Sequence, residues 1–230
     1  MAVNEMTSNL TTKTDLTRRG ALLAGVTLGG LTFAPVLAPP AEAAGFRDIA
    51  RSPFRKEIEW LKSVGITTGY THDNSYRPME PVKRDAMAAF IYRLAGSPVA
   101  SYAPVFKDVP KGMTFAKEMS WMKTQGLSWG WVDGTYRPMA NVQRDAMAVF
   151  LYRLLDERLR QHGVKVNVNS VAQFRDVRSN QLFAHEIRWM RAAGIAHGFS
   201  GKDYRPLANV NRQDMAAFLY RAAKLAEKAR

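Results

Sequence analysis

The chain says nearly the same thing three times, so its fold has to be built from three versions of one unit. The first copy runs "FRDIARSPFRKEIEWLKSVGITTGYTHDNSYRPMEPVKRDAMAAFIYRLAG" from Phe46 and the second "FKDVPKGMTFAKEMSWMKTQGLSWGWVDGTYRPMANVQRDAMAVFLYRLL" from Phe106. The third, "FRDVRSNQLFAHEIRWMRAAGIAHGFSGKDYRPLANVNRQDMAAFLYRAA", starts at Phe174. The repeats occupy residues 46–96, 106–155 and 174–223, with a connector at 97–105, a linker at 156–173 that begins by extending a helix, and a tail at 224–230. No stretch of residues 45–230 is left over for a separate cargo domain.

Each copy reads as helix, loop, helix. In the first helix of copy one, Phe54, Ile58, Leu61 and Val64 recur at three- and four-residue steps, and Gly65 stands where a left-handed cap is wanted. Met87, Phe90, Ile91 and Leu94 give the second helix one apolar stripe. Two helices of this size cannot bury both stripes alone, so the copies have to pack together. Each can donate one helix to a shared three-helix centre, and the unequal connectors argue against a regular superhelix.

Residues 1–44 read as an export signal: "TRRG" at 17–20, an apolar run from Ala21 to Ala38, then "AEAAG" with small residues at Ala41 and Ala43 for cleavage. The paired arginines point to the twin-arginine route. After cleavage no membrane span remains. Lys13, Arg18 and Arg19 balance Glu5, Asp15 and Glu42, so the whole net charge of +13 belongs to residues 45–230. There is no cysteine, hence no disulfide, thiolate metal site or thiol nucleophile.

Four recurring elements carry a resemblance. They are F-x-D (Phe46 and Asp48, Phe106 and Asp108, Phe174 and Asp176), a first helix ending in G-[IL]-x-x-G, a Y-R-P loop, and a second helix opening with arginine. In this combination the chain resembles the S-layer homology (SLH) domain in its usual set of three. The resemblance implies an all-α domain of three helix-loop-helix repeats in a pseudo-threefold arrangement around a central three-helix bundle. It also implies non-covalent anchoring of an exported protein to an anionic, often pyruvylated, secondary cell-wall polysaccharide at the bacterial surface. In that family the second helix opens with a Thr-Arg-Ala-Glu-like motif whose arginine faces the groove between repeats. The equivalent arginines here are Arg84, Arg144 and Arg212. The family's flanking pair is replaced by Lys83 and Ala86, by Gln143 and Ala146, and by Asn211 and Asp214, of which only the last is a plausible reciprocal cap.

An arginine at a helix N-terminus meets a like-signed dipole, so local stability does not explain it. Two readings are open: a ligand carboxylate bound by guanidinium and free amides together, or an internal salt bridge to Glu57, Glu118 or Glu186 of a neighbouring copy. Arg77, Arg137 and Arg205 of Y-R-P either extend an anionic groove or are solvated charge. Trp60, Trp121 and Trp189 are either core or sugar-stacking platforms. Gly69, Gly130 and Gly198 serve backbone geometry or a close approach to sugar, and Trp129 with Trp131 singles out the second copy's groove. Arg93, Arg153 and Arg221 complement the dipole late in their helices.

No catalytic site, metal site or cofactor is expected. His72, His162, His185 and His197 do not recur at one position, and Asp73 and Asp133 lack the full spacing of a calcium loop. The expected partner is an anionic wall glycan, with another envelope protein as a second possibility and a monomeric state. The alternatives are a secreted cell-wall hydrolase or its regulator, and a nonspecific polyanion or nucleic-acid binder. Export argues against nucleic acid.

Overall fold

A computed structural model describes residues 45–229. The expected export signal, residues 1–44, lies outside them. Among the described residues the chain forms six α-helices, with no strand beyond isolated bridges: α1 Arg55–Ser63, α2 Arg84–Leu94, α3 Ala116–Thr124, α4 Arg144–Gln161, α5 Ala184–Ala192 and α6 Arg212–Ala226. Short 3-10 turns lie at Val168–Ser170 and Glu227–Ala229. None of these helices is long and apolar enough to cross a membrane. The fold is all-α, as expected. The boundary expected at 155/156 falls inside α4, whose apolar stripe continues through buried Leu159.

The apolar periodicity locates the helices because it is what they bury. Ile58 and Leu61 of α1, and Met87, Phe90, Ile91 and Leu94 of α2, lie in one continuous core. Gly65 follows α1 at φ 74°, as its position suggested. Each copy is pinned from within by its F-x-D aromatic. Phe46, Phe106 and Phe174 are buried against Tyr76, Tyr136 and Tyr204, with ring centroids 5.4, 4.9 and 5.3 Å apart. They also cover Gly69, Gly130 and Gly198. A Cβ on Gly130, at φ 73°, would stand 2.4 Å from the Thr135 carbonyl oxygen and 2.7 Å from Phe106. Backbone cannot retreat as a flexible side chain can, so Gly130→Ala should cost roughly 3 kcal/mol or more, measurable by denaturant unfolding.

The copies pack across their boundaries: α2 lies on α3, α4 on α5, and α6 returns to α1. The second helix of each copy thus covers the first helix of the next, and the last copy covers the first. Each seam is closed by a tyrosine edge-on to a tryptophan, Tyr92 with Trp121, Tyr152 with Trp189 and Tyr220 with Trp60, at 5.2, 5.5 and 5.2 Å. Where the loops meet, three buried valines exchange hydrogen bonds in a closed cycle: Val82 N donates to Val210 O, Val210 N to Val142 O and Val142 N to Val82 O, each at 2.9 Å. At the centre the copies are less alike. α6 packs on both α2 and α4, whereas no comparable contact joins α2 to α4. α2 is also the shortest of the three, 11 residues against 18 and 15.

Candidate functional site

α2, α4 and α6 have no side-chain cap. The reciprocal cap expected between Asn211 and Asp214 is therefore not made. Each helix is capped instead by the loop of the next copy. Arg84 N donates to Ala140 O and Asp85 N to Pro138 O; Arg144 N donates to Ala208 O and Asp145 N to Pro206 O; Arg212 N donates to Glu80 O and Gln213 N to Pro78 O, all at 2.9–3.1 Å. Ala86 N and Ala146 N turn to the adjacent Asp85 and Asp145 carboxylates, both at 2.6 Å. These first amides are already spent, so the expectation that free N–H groups join the arginine on one ligand is corrected.

The three arginines are buried cations, only 6, 4 and 7 % exposed for Arg84, Arg144 and Arg212. They do not pair with Glu57, Glu118 or Glu186. Their Nε atoms donate to the carbonyls of Tyr136, Tyr204 and Tyr76 at 2.8, 2.7 and 2.6 Å. The same tyrosines answer with hydroxyls donated to the carbonyls of Arg84, Arg144 and Arg212 at 3.2, 2.8 and 2.8 Å. An Arg–Tyr clamp thus spans every seam, including the one between the last copy and the first. Burial pushes these phenols up, Tyr136 to about 12, and the same desolvation lowers Arg84 and Arg144.

The outer ends of the guanidinium groups are not spent. Arg84 Nη2 has a long contact with Ser128 Oγ at 3.4 Å. Among the described residues the Nη atoms of Arg144 and Arg212 have no hydrogen-bond partner, and none of the three arginines forms an ion pair. Burying a cation without an anion is costly, and aromatic faces only soften that cost. Arg84 lies over Trp131, Tyr136 and Phe150 at 4.3, 4.5 and 5.6 Å. Arg144 lies over Phe199, Tyr204 and Phe218 at 4.9, 4.8 and 5.2 Å. Arg212 lies over Tyr70, Tyr76 and Phe90 at 5.1, 4.5 and 5.7 Å.

The Y-R-P arginines come to the same places. Arg137 lies over Trp131 at 4.5 Å, Arg205 over Phe199 at 4.0 Å and Arg77 over Tyr70 at 3.8 Å. Each seam therefore brings two guanidinium groups around one aromatic ring, the buried arginine from one copy and the more exposed Y-R-P arginine with its ring from the next. Arg77, Arg137 and Arg205 are left-handed, at φ 57°, 58° and 58°. The F-x-D carboxylates hold them there. Asp48, Asp108 and Asp176 accept Tyr N on one oxygen and Arg N on the other, at 2.6–2.8 Å throughout. Sequence reasoning saw this aspartate recur without assigning it a task. The signal was its fixed spacing of 28 residues from the tyrosine.

The other candidates lie elsewhere. Trp121 and Trp189 are buried in the seams, Trp189 donating its indole N–H to Asp156 at 2.7 Å, and half-buried Trp60 packs on Tyr220. Exposed Trp129 lies beside Lys123, while Trp131 lies between Arg84 and Arg137. Arg93, Arg153 and Arg221 reach back from the second helices to the carbonyls of Ile66, Leu127 and Ile195, so they tie the two helices of a copy together. Asp73 and Asp133 accept from Ser75 and Thr135 within their own loops, which holds the Asp133 carboxyl down at about 2. Among the described residues no group of His, Asp and Glu gathers as a metal site would need.

The chain matches a cellulosome-anchoring protein of Acetivibrio thermocellus at 23% identity over 152 residues, which is 64% of this chain and 33% of that protein. It thus spans about a third of that relative's length. The S-layer homology domain matches three times, at residues 45–88, 105–148 and 173–216. Together these matches cover more than half of the sequence and end just inside each second helix, so the chain belongs to the S-layer homology domain family.

Proposed function

We propose that the protein is a non-catalytic anchoring module of the bacterial cell surface. It binds an anionic, pyruvylated wall polysaccharide in the grooves between its repeats. Arg84 with Arg137, Arg144 with Arg205 and Arg212 with Arg77 take the acid groups, and Trp131, Phe199 and Tyr70 offer a ring to the sugar. The observation that carries this reading is the set of buried guanidinium groups whose outer nitrogens lack a carboxylate among the described residues. An acidic ligand supplies what the fold withholds. Family membership and the anchoring role named for the relative point the same way. Weak contacts in separate grooves of one rigid body reinforce each other on a repeating polymer. Residues 1–44 export the chain, and it acts as a monomer that can also carry another envelope protein.

Co-sedimentation with envelope preparations tests this at low and at about 0.5 M salt, before and after chemical removal of the wall polysaccharide. Binding should survive the salt and vanish with the polysaccharide. Binding that ignores the stripping and disappears in salt would mean general adhesion by a chain of charge +13.

A further inference from the structure

The three grooves are built alike but are not equally open. Where the loop carbonyl receives the helix-start amide, the residues are Ala140 for Arg84, Ala208 for Arg144 and Glu80 for Arg212. Only the last brings a carboxylate. Glu80 Oε2 accepts the Tyr70 hydroxyl at 2.8 Å and stands 4.0 Å from Arg77 Nη1. Tyr70 is the ring that lies against both Arg77 and Arg212 in that groove. A second carboxylate, Asp73, is 3.8 Å from Arg77 Nη2. The Arg212 groove therefore contains an acid group of its own beside the ring and the cation pair that a ligand acid would use. Trp131 and Phe199 have no hydroxyl to hold such a carboxylate.

The Arg84 groove differs at the position of Glu80: Ala140 brings no carboxylate there, and Ser128 adds a hydroxyl next to Arg84. Asp133 is paired with the exposed Arg137 at 3.1 Å. In the Arg144 groove Ala208 likewise brings no carboxylate, and Arg205 has no ion pair among the described residues.

Resting on the reading of these grooves as acidic-glycan sites, we propose that Glu80 is a built-in competitor. It holds the Arg212 groove closed to carboxylate-bearing sugars, so that the domain grips its polymer chiefly through the Arg84 and Arg144 grooves. A ligand carboxylate entering beside Glu80, which stands 4.0 Å from Arg77, meets a like charge at close range.

The backbone amides of Trp131, Phe199 and Tyr70 report the three grooves separately in 15N–1H spectra. The probe is methyl β-D-glucuronide, a pyranoside with one carboxylate. Trp131 and Phe199 should titrate first, and Tyr70 about tenfold or more weaker. Glu80→Ala restores the residue found at the other two seams and changes a side chain that is 41% exposed, so the fold should tolerate it. In that variant the Tyr70 midpoint should move to within about threefold of Trp131, with Trp131 itself unchanged. Glu80→Gln, which keeps an acceptor for Tyr70 without the charge, should move it in the same direction. Equal midpoints at Tyr70 and Trp131 in the unaltered protein would overturn the proposal, as would a Tyr70 midpoint that ignores both substitutions. If none of the three amides responds, the groove reading itself falls and takes this inference with it.

Discussion

Asp108→Ala is expected to lose roughly 3–5 kcal/mol of stability, a large effect for a single loop change, because one carboxylate holds two backbone amides. Its oxygens accept Tyr136 N and Arg137 N, both at 2.7 Å. The second of these residues is left-handed, at φ 58°, a conformation that an arginine adopts only when its surroundings enforce it. Without the carboxylate both amides lose a charged acceptor, and the turn relaxes toward ordinary φ. Tyr136 then withdraws its carbonyl from Arg84 Nε and its hydroxyl from the Arg84 carbonyl. The seam between the first and second copies weakens with the groove it forms. Asp108→Asn keeps one acceptor and should lose about half as much. Urea unfolding of the two variants beside the parent gives the comparison. Equal, small losses would mean that the loop is held by its apolar packing.

The second large effect separates binding from folding. Replacing Arg84, Arg144 and Arg212 together by methionine should reduce affinity for the wall polysaccharide by more than about 1,000-fold, since each groove loses a charged contact and the losses multiply on a shared polymer. Stability should move far less, within about 2 kcal/mol for the three sites together, because two terms oppose each other. Each methionine leaves a tyrosine carbonyl without its Nε donor, yet it removes a largely buried cation that forms no ion pair among the described residues. Methionine fills a similar slot against the aromatic rings. A pair of properties that diverge in this way marks residues retained for a ligand at the expense of the fold.

Much of the fold was legible because it is local. The stripe of Ile58 and Leu61, the glycine at 65 and the stripe of Met87, Phe90 and Leu94 are each set within one helix and its cap, where periodicity reports burial directly. The seams were not legible in detail. Trp121 meets Tyr92 and Trp60 meets Tyr220 across copies, and nothing in a tryptophan at helical spacing says whether its ring will face a partner helix or a sugar. The arginines were visible as an anomaly, a cation at the wrong end of a dipole, and that drew attention to the right residues. The details of their surroundings came out differently. The free amides assumed at the helix starts are capped by carbonyls of the following copy, and those partners are set by the closed order of the copies. The rings of Tyr70, Trp131 and Phe199 follow the recurring glycine in all three copies, a position that varied in identity while staying aromatic. Only Trp131 among them was noticed from the sequence.

The most direct measurement is a binding isotherm of purified wall polysaccharide against the protein and against its Arg84→Met, Arg144→Met, Arg212→Met triple variant, with thermal melts of the same samples. The account predicts that the variant melts near the parent and fails to bind. A variant that melts like the parent and still binds with parental affinity would contradict it, because the polymer would then be held by some other surface of the domain.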